Sequence, residues 1–390
     1  MQLSDKKVIV IGAGVGGLAS ALALARRGAQ VNVLEQATEI SDIGAGVQIS
    51  PNGMAVLKAL GLRNAILGRA LTAEAVVLHN YSNAAEVVRL VVTRQGQRNA
   101  YQFIHRADLI DCLLTAVREV GVRVRLLQQV AKVQPAIKPW VKLANRQVES
   151  GDLIIAADGV RSSLRSVLNG PAEPLFSGQV AWRALVPQPA DFALQARIYL
   201  APGRHLVSYP LRAGQLVNLV AVQERITWAA EGWQHRDDPA HLQRAFADFD
   251  PSVLALLRRV EDVHLWGLFH HPVASVWHRE HTVLLGDAAH PMLPFLAQGT
   301  NMALEDAWVL AASLAEAATF EVGLAHYQER RAPRVARVAK AASRNAWKYH
   351  LRNPALRGVA HFALKTLGRV APRHLIGQYD WLYNHDVTQI

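Results

Sequence analysis

At 390 residues with 51% hydrophobic side chains the chain can bury a sizeable core, and its length divides into two or three domains, which excludes a disordered or fibrous protein. Its 42 basic and 31 acidic residues leave a formal charge of +11. The basic residues are dispersed except over 330–373, the pattern of a solvated surface that attracts anionic small molecules, so no nucleic-acid partner is expected. Cys112 is the only cysteine, which rules out a disulfide within the chain and fits a reducing compartment. With neither a signal-peptide pattern nor an apolar run of bilayer length, the expectation is a cytoplasmic protein without stable membrane insertion.

Lys7–Ile11 reads as a buried strand, 15–27 as a helix and 31–34 as a second strand, a βαβ unit. Between the first strand and the helix stands Gly12-Ala-Gly14-Val-Gly-Gly17. Gly12 permits the tight turn, Gly14 lets backbone approach a pyrophosphate, and Gly17 lets helix pack on strand. Glu35 ends the second strand, where a carboxylate accepts from ribose hydroxyls. The motif implies a dinucleotide and leaves NAD and FAD open. A Gly-rich stretch, 42–52, leads to a helix at 53–60 and a β-prone excursion at 73–100. A helix at 106–120 and strands at 122–127 and 152–156 restore the α/β pattern. Arg106 opens its helix after the strand Gln102–His105, as a surface cation or a pyrophosphate clamp. Asp158-Gly159 ends a strand just before Arg161 and Arg165, as a structural ion pair or a ligand carboxylate.

Between 176 and 269 the character changes. Strands at 179–186, 196–200, 205–211 and 216–223, joined by Gly- and Pro-bearing turns, suggest an antiparallel sheet in a second domain. His205 and Tyr209 lie four apart, so a strand puts both on one face. Imidazole titrates near neutral pH, which makes His205 a candidate general base; ordinary packing is the other reading of the pair. Arg183, after Trp182, reaches a carboxylate substrate or pairs on the surface.

The α/β pattern resumes at 282. The apolar run 281–285 stops at Gly286-Asp287, which sets a carboxylate at the mouth of a strand, where α/β sheets bind ligands. Pro291 and Pro294 forbid regular structure, and His290 beside Pro291 reads as part of a rigid loop. From Gly299 the pattern is helical, and the free N–H groups of Gly299-Thr300-Asn301 favour an electron-rich partner. His270, His271, His278 and His281 lack an acidic companion at helical spacing, so no metal site is expected. The remainder is helical with Pro333, Pro354 and Pro372 as breaks. The basic 330–373 region is expected to pack its apolar face on the body of the protein; a membrane-surface or dimer contact is the other reading.

Gly12 to Gly17 with Glu35, the Asp158-Gly159 pair and the segment 286–306, in this order and spacing, resemble the single-component FAD-dependent aromatic hydroxylases, the group A flavoprotein monooxygenases. Ala288-Ala-His-Pro-Met-Leu-Pro-Phe-Leu-Ala-Gln-Gly and the tail 379–388 most resemble the salicylate hydroxylase and 3-hydroxybenzoate 6-hydroxylase branch. The likeness spans essentially the whole chain. With the elements above it implies an α/β fold: a discontinuous Rossmann-like FAD-binding domain (1–72, 101–175 and 276–340), an inserted, mostly antiparallel substrate-binding sheet domain (73–100 and 176–275), and a C-terminal helical segment (341–390).

The resemblance implies FAD held by Gly12, Gly14, Val15, Gly17, Val47 and Pro294, with Glu35 on the adenosine ribose and Arg106 and Asp287 on the pyrophosphate and ribityl region. Asp158 would serve FAD and the incoming nicotinamide, and Gly299, Thr300 and Asn301 would face the N1/C2=O edge of the flavin ring. NADH or NADPH would bind transiently, since no second GxGxxG occurs. A flavin C4a-hydroperoxide made from dioxygen would then hydroxylate a phenolic, carboxylated aromatic. His205, Tyr209 and Gln298 would act on that substrate, with Arg183 as a further contact, in a monomer or homodimer. The alternatives are a flavin-dependent hydroxylase or epoxidase of a lipid or quinone precursor, an NAD-binding Rossmann oxidoreductase without flavin, and a flavin-bound protein without turnover.

Overall fold

The computed structural model describes residues 2–40, 45–93, 99–187, 193–225, 227 and 235–389, without the side chains of 346–348 and 373. Part of the Gly-rich stretch (42–44) and part of the β excursion (94–98) therefore lie outside the described residues. The apolar strand Lys7–Ile11 sits inside a six-stranded sheet, with Gln30–Leu34 on one side and Leu153–Ala156 on the other, both parallel to it. Arg123–Arg125 and Thr282–Leu284 extend the parallel run, and only His278–Arg279 at the edge is antiparallel. Every residue of Leu153–Ala156 is buried, as a parallel strand covered on both faces requires. Helices Val15–Ala25 and Gly299–Glu316 pack against each other. The order of the strands lines up the carboxyl ends of Lys7–Ile11, Leu153–Ala156 and Thr282–Leu284, so the turns at Gly12, Asp158 and Gly286 share one edge.

An eight-stranded sheet carries the second half of the architecture. Its strand Leu175–Pro187 is antiparallel to Val263–His270 on one side and to Leu216–Glu224 on the other, followed by Arg204–Leu211 and Gln195–Ala201. Gln195–Ala201 then pairs in parallel with Ala75–Asn80, and Glu86–Val91 closes that edge, so segments far apart in sequence share one sheet. This is the α/β fold with a Rossmann-like parallel sheet and a mostly antiparallel second sheet.

Some elements escape sequence reading. Gly46–Ile49 is a short strand on Gln102–His105, and Val130–Gln134, Trp140–Leu143 and Val148–Ser150 form a small antiparallel sheet. Helices Pro239–Ala245 and Pro251–Leu257 each start at an Asp-Pro pair, in which Asp238 or Asp250 caps an amide and proline takes the first helical position.

Two expectations at the C-terminal end are corrected. Pro333 does not break a helix: Phe320–Tyr349 runs through it and across residue 340. Proline forfeits one ladder bond there, while buried Arg331, Val335 and Val338 hold the helix against its neighbours. The basic helix Pro354–Val370 does not pack its apolar face tightly on the body: Leu356, Val359, Ala360, Ala363 and Leu364 border an open cavity. Leu356, Val359, Phe362, Leu367 and Val370 are exposed, Phe362 by 73% and Val370 by 80%. Gly368 faces Val88, where a Cβ would come within 2.8 Å of Val88 Cγ2, and Arg357 lies over the Tyr81 ring.

Candidate active site

The shared turn edge of the parallel sheet and one face of the antiparallel sheet enclose a cavity of about 910 Å³. That volume stands at the upper end of small-molecule sites. Gly14, Val15, Val47, Arg106, Asp287, Pro294, Gly299 and Thr300 line it from the side of the parallel sheet. Arg183, His205 and Tyr209 line it from the other side, among Ile198, Leu200, Val207, Val220 and Val222. Gly12, Gly17, Glu35, Asp158 and Asn301 stand behind this lining.

The turn edge can be tested for its fit to FAD. A Cβ on Gly14 would meet nothing within 4 Å, so the outer side of the turn is open space, whereas a Cβ on Gly17 would come within 2.0 Å of the Gly12 carbonyl oxygen. Gly14 caps helix Val15–Ala25 and Gln298 caps helix Gly299–Glu316, in both cases without a side-chain hydrogen bond, so two helix starts present uncapped amides toward the cavity. Asp158 keeps a buried carboxylate oxygen, Oδ1, without a protein partner, and burial raises its pKa against the opposing Ser162 and Ser163 hydrogen bonds. Asp287 is open to the cavity, but the protein walls around it push its pKa up, opposed by His290 and Arg106. Glu35 accepts from the amides of Ala13 at 2.7 Å and Ala37 at 2.9 Å, which holds its carboxylate beside the Gly-rich turn. Open glycine cradle, unpaired carboxylate oxygen and uncapped helix starts fit a ligand with phosphates, ribose hydroxyls and an electron-rich ring edge, as FAD has.

On the opposite wall His205 is 2% exposed, flanked by the Phe295 and Tyr349 rings at 5.7 and 5.2 Å. Burial, with His350 adding to it, holds its pKa well below the ordinary imidazole value, so the ring is neutral and a proton on it is disfavoured. Tyr209 is buried and stacked on Phe103 at 5.1 Å, and burial pushes its phenol up against the opposing effects of Arg183 and Gln48. The Arg183 guanidinium lies 5.3 Å over the Trp266 ring and brings positive charge to an otherwise aliphatic wall.

Three expectations change at the level of hydrogen bonds. Gln298 borders the cavity, yet its amide is engaged inside the protein: Nε2 donates to Ser50 Oγ at 2.9 Å and Oε1 accepts from Asn52 at 3.2 Å. These bonds tie it to the loop at Ser50. Asn301 is fully buried, with Oδ1 accepting from the Ser50 amide and Nδ2 donating to the carbonyls of Gln48 and Ala297, so only its backbone amide remains for a ligand. Arg165 does not pair with Asp158; it donates to the carbonyls of Ala288 and Ala289 at 2.9 and 2.8 Å and braces the loop below Gly286. His290 is part of that bracing, with Nε2 on Asp306 Oδ2 at 2.5 Å, while the same oxygen accepts from the Gly286 amide at 3.1 Å.

Other contributors were missed. Gly46 leaves room for Tyr209, whose hydroxyl oxygen a Cβ would approach to 2.6 Å, and its amide donates to Asn218 Oδ1 at 2.7 Å. Gln48 and Tyr101 meet at 2.8 Å on the cavity wall, and His350 stands behind His205. The glycine in 42–52 was a legible signal; His350 had none, because its partner lies far away in sequence.

The model of a family described as "FAD binding domain" matches residues 5–342. A 3-amino-4-hydroxybenzoate 2-monooxygenase from Streptomyces platensis is 34% identical, over 98% of this chain and 97% of the relative. A 3-hydroxybenzoate 6-hydroxylase from Polaromonas naphthalenivorans (strain CJ2) is 33% identical over the same shares. The chain belongs to the FAD-dependent aromatic hydroxylases. This hydroxylase shares its fold with a salicylate hydroxylase substrate complex, at TM-score 0.81 and 24% identity over 99% of this chain and 97% of that one. FAD is its cofactor, and NAD(P)H and dioxygen are the co-substrates typical of the family. Among the described residues of the enzyme no helix is long and apolar enough to cross a membrane, and no group of His, Cys, Asp and Glu is placed to hold a metal.

Proposed function

We propose that the enzyme hydroxylates a phenol bearing a carboxylate, with the ring against the aliphatic wall, the hydroxyl at His205 and the carboxylate toward Arg183. The observation that carries this reading is the pairing on one cavity wall of a buried neutral imidazole with a guanidinium. The first suits removal of a phenol proton, and the second suits an anionic ring substituent. The relatives named for hydroxybenzoates agree with both.

Bound FAD, reduced by NAD(P)H, supplies the activation of dioxygen. Gly12, Gly14, Val15 and Gly17 shape the turn on which its phosphates rest, with Glu35 at the adenosine ribose. Arg106 and Asp287 serve the pyrophosphate and ribityl region, and Asp158 serves FAD and the incoming nicotinamide. Val47, Pro294 and the amides of Gly299, Thr300 and Asn301 border the ring. Tyr209 packs beside the substrate hydroxyl. The aliphatic wall excludes water, which favours transfer of oxygen to the ring over its loss as hydrogen peroxide.

In this reading 1–72, 101–175 and 276–340 form the FAD-binding domain, 73–100 and 176–275 the substrate domain, and 341–390 a C-terminal segment. The enzyme works in the cytoplasm as a monomer or homodimer. The test is a screen of hydroxybenzoates and unsubstituted phenols with NADH and NADPH, in which hydroxylated product is identified and peroxide measured. Product from hydroxybenzoates is expected, at lower KM than from phenols lacking the carboxylate. NAD(P)H oxidation that yields only peroxide with every hydroxybenzoate sinks the assignment.

A further inference from the structure

We propose that Glu224 and His350 form a relay that fixes the tautomer of His205 and carries the proton taken from the substrate out to solvent. The proposal rests on the reading of His205 as the base. Its parts come from separate elements: His205 from the strand Arg204–Leu211, Glu224 from the end of Leu216–Glu224, and His350 from the residue after helix Phe320–Tyr349. His205 Nδ1 lies 2.7 Å from His350 Nε2, and His350 Nδ1 lies 3.1 Å from Glu224 Oε1. Arg352 grips the other carboxylate oxygen through Nε at 2.9 Å and Nη2 at 2.5 Å. Backbone bonds hold the arrangement, from the Gly203 amide to the His350 carbonyl at 3.3 Å and from the Glu224 amide to the Gly203 carbonyl at 2.9 Å.

The carboxylate end sets the protons: His350 Nδ1 lies 3.1 Å from Glu224 Oε1, with the Gln179 amide nitrogen more distant at 3.5 Å. Glu224, ion-paired to Arg352, only accepts, so His350 Nδ1 carries a hydrogen. His350 is 4% exposed and burial favours its neutral form, with Glu224 opposing, so its Nε2 is bare and accepts. His205 Nδ1 is therefore the donor to it. A neutral His205 then has a bare Nε2, the nitrogen left for the cavity that the residue lines. The opposite tautomers would set a nitrogen lone pair against the carboxylate, with two N–H groups or two lone pairs facing each other further along.

Burial also explains why the proton must leave. A charged His205 ring is disfavoured between Phe295, Tyr349 and a second imidazole, with the Arg183 guanidinium on the same cavity. As the substrate O–H breaks, Nε2–H of His205 forms. Its Nδ1 hydrogen passes to His350 Nε2, the His350 Nδ1 hydrogen passes to Glu224 Oε1, and Glu224 releases it to water. One proton crosses from the cavity to solvent, and each ring exchanges one N–H for the other. The side chains become more open along the way, from buried His205 and His350 to Glu224 at 28% and Arg352 at 72% exposed.

The test has a ligand-free arm and a kinetic arm, both on FAD-loaded protein whose flavin absorbance and melting temperature confirm the fold. Nitrogen NMR of 15N-histidine-labelled wild type is expected to show His205 with a protonated Nδ1 and a bare Nε2. Glu224→Gln should yield mixed tautomers, because an amide offers either a donor or an acceptor. His350→Gln should keep the His205 tautomer, since its carbonyl accepts from Nδ1 and its NH2 donates to Glu224, yet it cannot pass a proton on.

In the kinetic arm, with 3-hydroxybenzoate as the probe, both variants should lose roughly tenfold of product formation at neutral pH, less than loss of the base itself. Both should recover as pH rises and the phenol ionises unaided, a rescue that a merely structural role would not give. An unchanged His205 tautomer in Glu224→Gln, or wild-type pH profiles in both variants, overturns the relay. If the wild type shows the expected tautomer but makes no product from 3-hydroxybenzoate or any other phenol, the substrate reading fails and the tautomer result still decides the relay.

Discussion

At the residue scale the two glycines of the first turn do different jobs. Gly14 faces open space and Gly17 faces the Gly12 carbonyl oxygen at a distance no Cβ tolerates. Gly14→Ala is therefore expected to leave the apoprotein folded, with an unchanged melting temperature, while FAD binds more weakly in a flavin fluorescence titration. Gly17→Ala should lower the melting temperature of the apoprotein itself. Equal effects of both substitutions on apoprotein stability would remove the distinction. His205→Ala is expected to retain FAD and to lose about 10²–10⁴-fold in hydroxylation rate, measured by product formation under saturating NAD(P)H. The glycines and the histidine were legible because their chemistry is local: a turn, a strand face, a titrating ring. The direction of the Gln298 amide was not legible, because it depends on Ser50 and Asn52, about 250 residues upstream.

At the scale of elements, the helix Gly299–Glu316 is held in place by buried charge. Glu305 and Asp306 both bind Arg331 from the helix Phe320–Tyr349, at 2.5 and 2.7 Å, and Arg334 adds a second guanidinium to Glu305. Arg331→Met leaves both carboxylates short of a partner in the interior and is expected to cost about 3–5 kcal/mol, read as a lower midpoint in denaturant unfolding. A midpoint within error of wild type would show that the network adds nothing to stability.

Burial pushes both carboxyls up, but His290 and Arg331 at Asp306, and Arg331 and Arg334 at Glu305, bring their pKa values below the ordinary range. A depressed folded pKa means that this contribution is fully present above the unfolded carboxylate value of about 4 and is lost as pH falls through the lower folded value. Acid unfolding should therefore move to higher pH in Arg331→Met, as followed by circular dichroism. The expectation of breaks at prolines was too strict for the same reason: packing of Arg331 and its neighbours outweighs one missing ladder bond at Pro333.

At the scale of the whole molecule the cavity joins two sheets, so cofactor binding stabilises the assembly of both. FAD at about a hundredfold above its Kd adds about 2.7 kcal/mol by mass action, and the melting temperature should rise with FAD concentration after stripping. A melting temperature independent of FAD would show that the parallel-sheet edge does not bind it.

Short stretches of the chain already specify the βαβ start, the Gly-rich turn, the carboxylates at strand ends, the antiparallel block and the family. Each of these is written in backbone rules or motif order over short stretches. Which side chains meet is legible only in the folded chain. It set Asn301 and Gln298 on the loop at Ser50, brought the apolar side of Pro354–Val370 to the cavity, and placed His350 against His205 across 145 residues. The reason is physical: local torsions and periodicity fix an element, whereas hydrogen-bond partners follow from how elements pack, and that packing is a property of the whole chain.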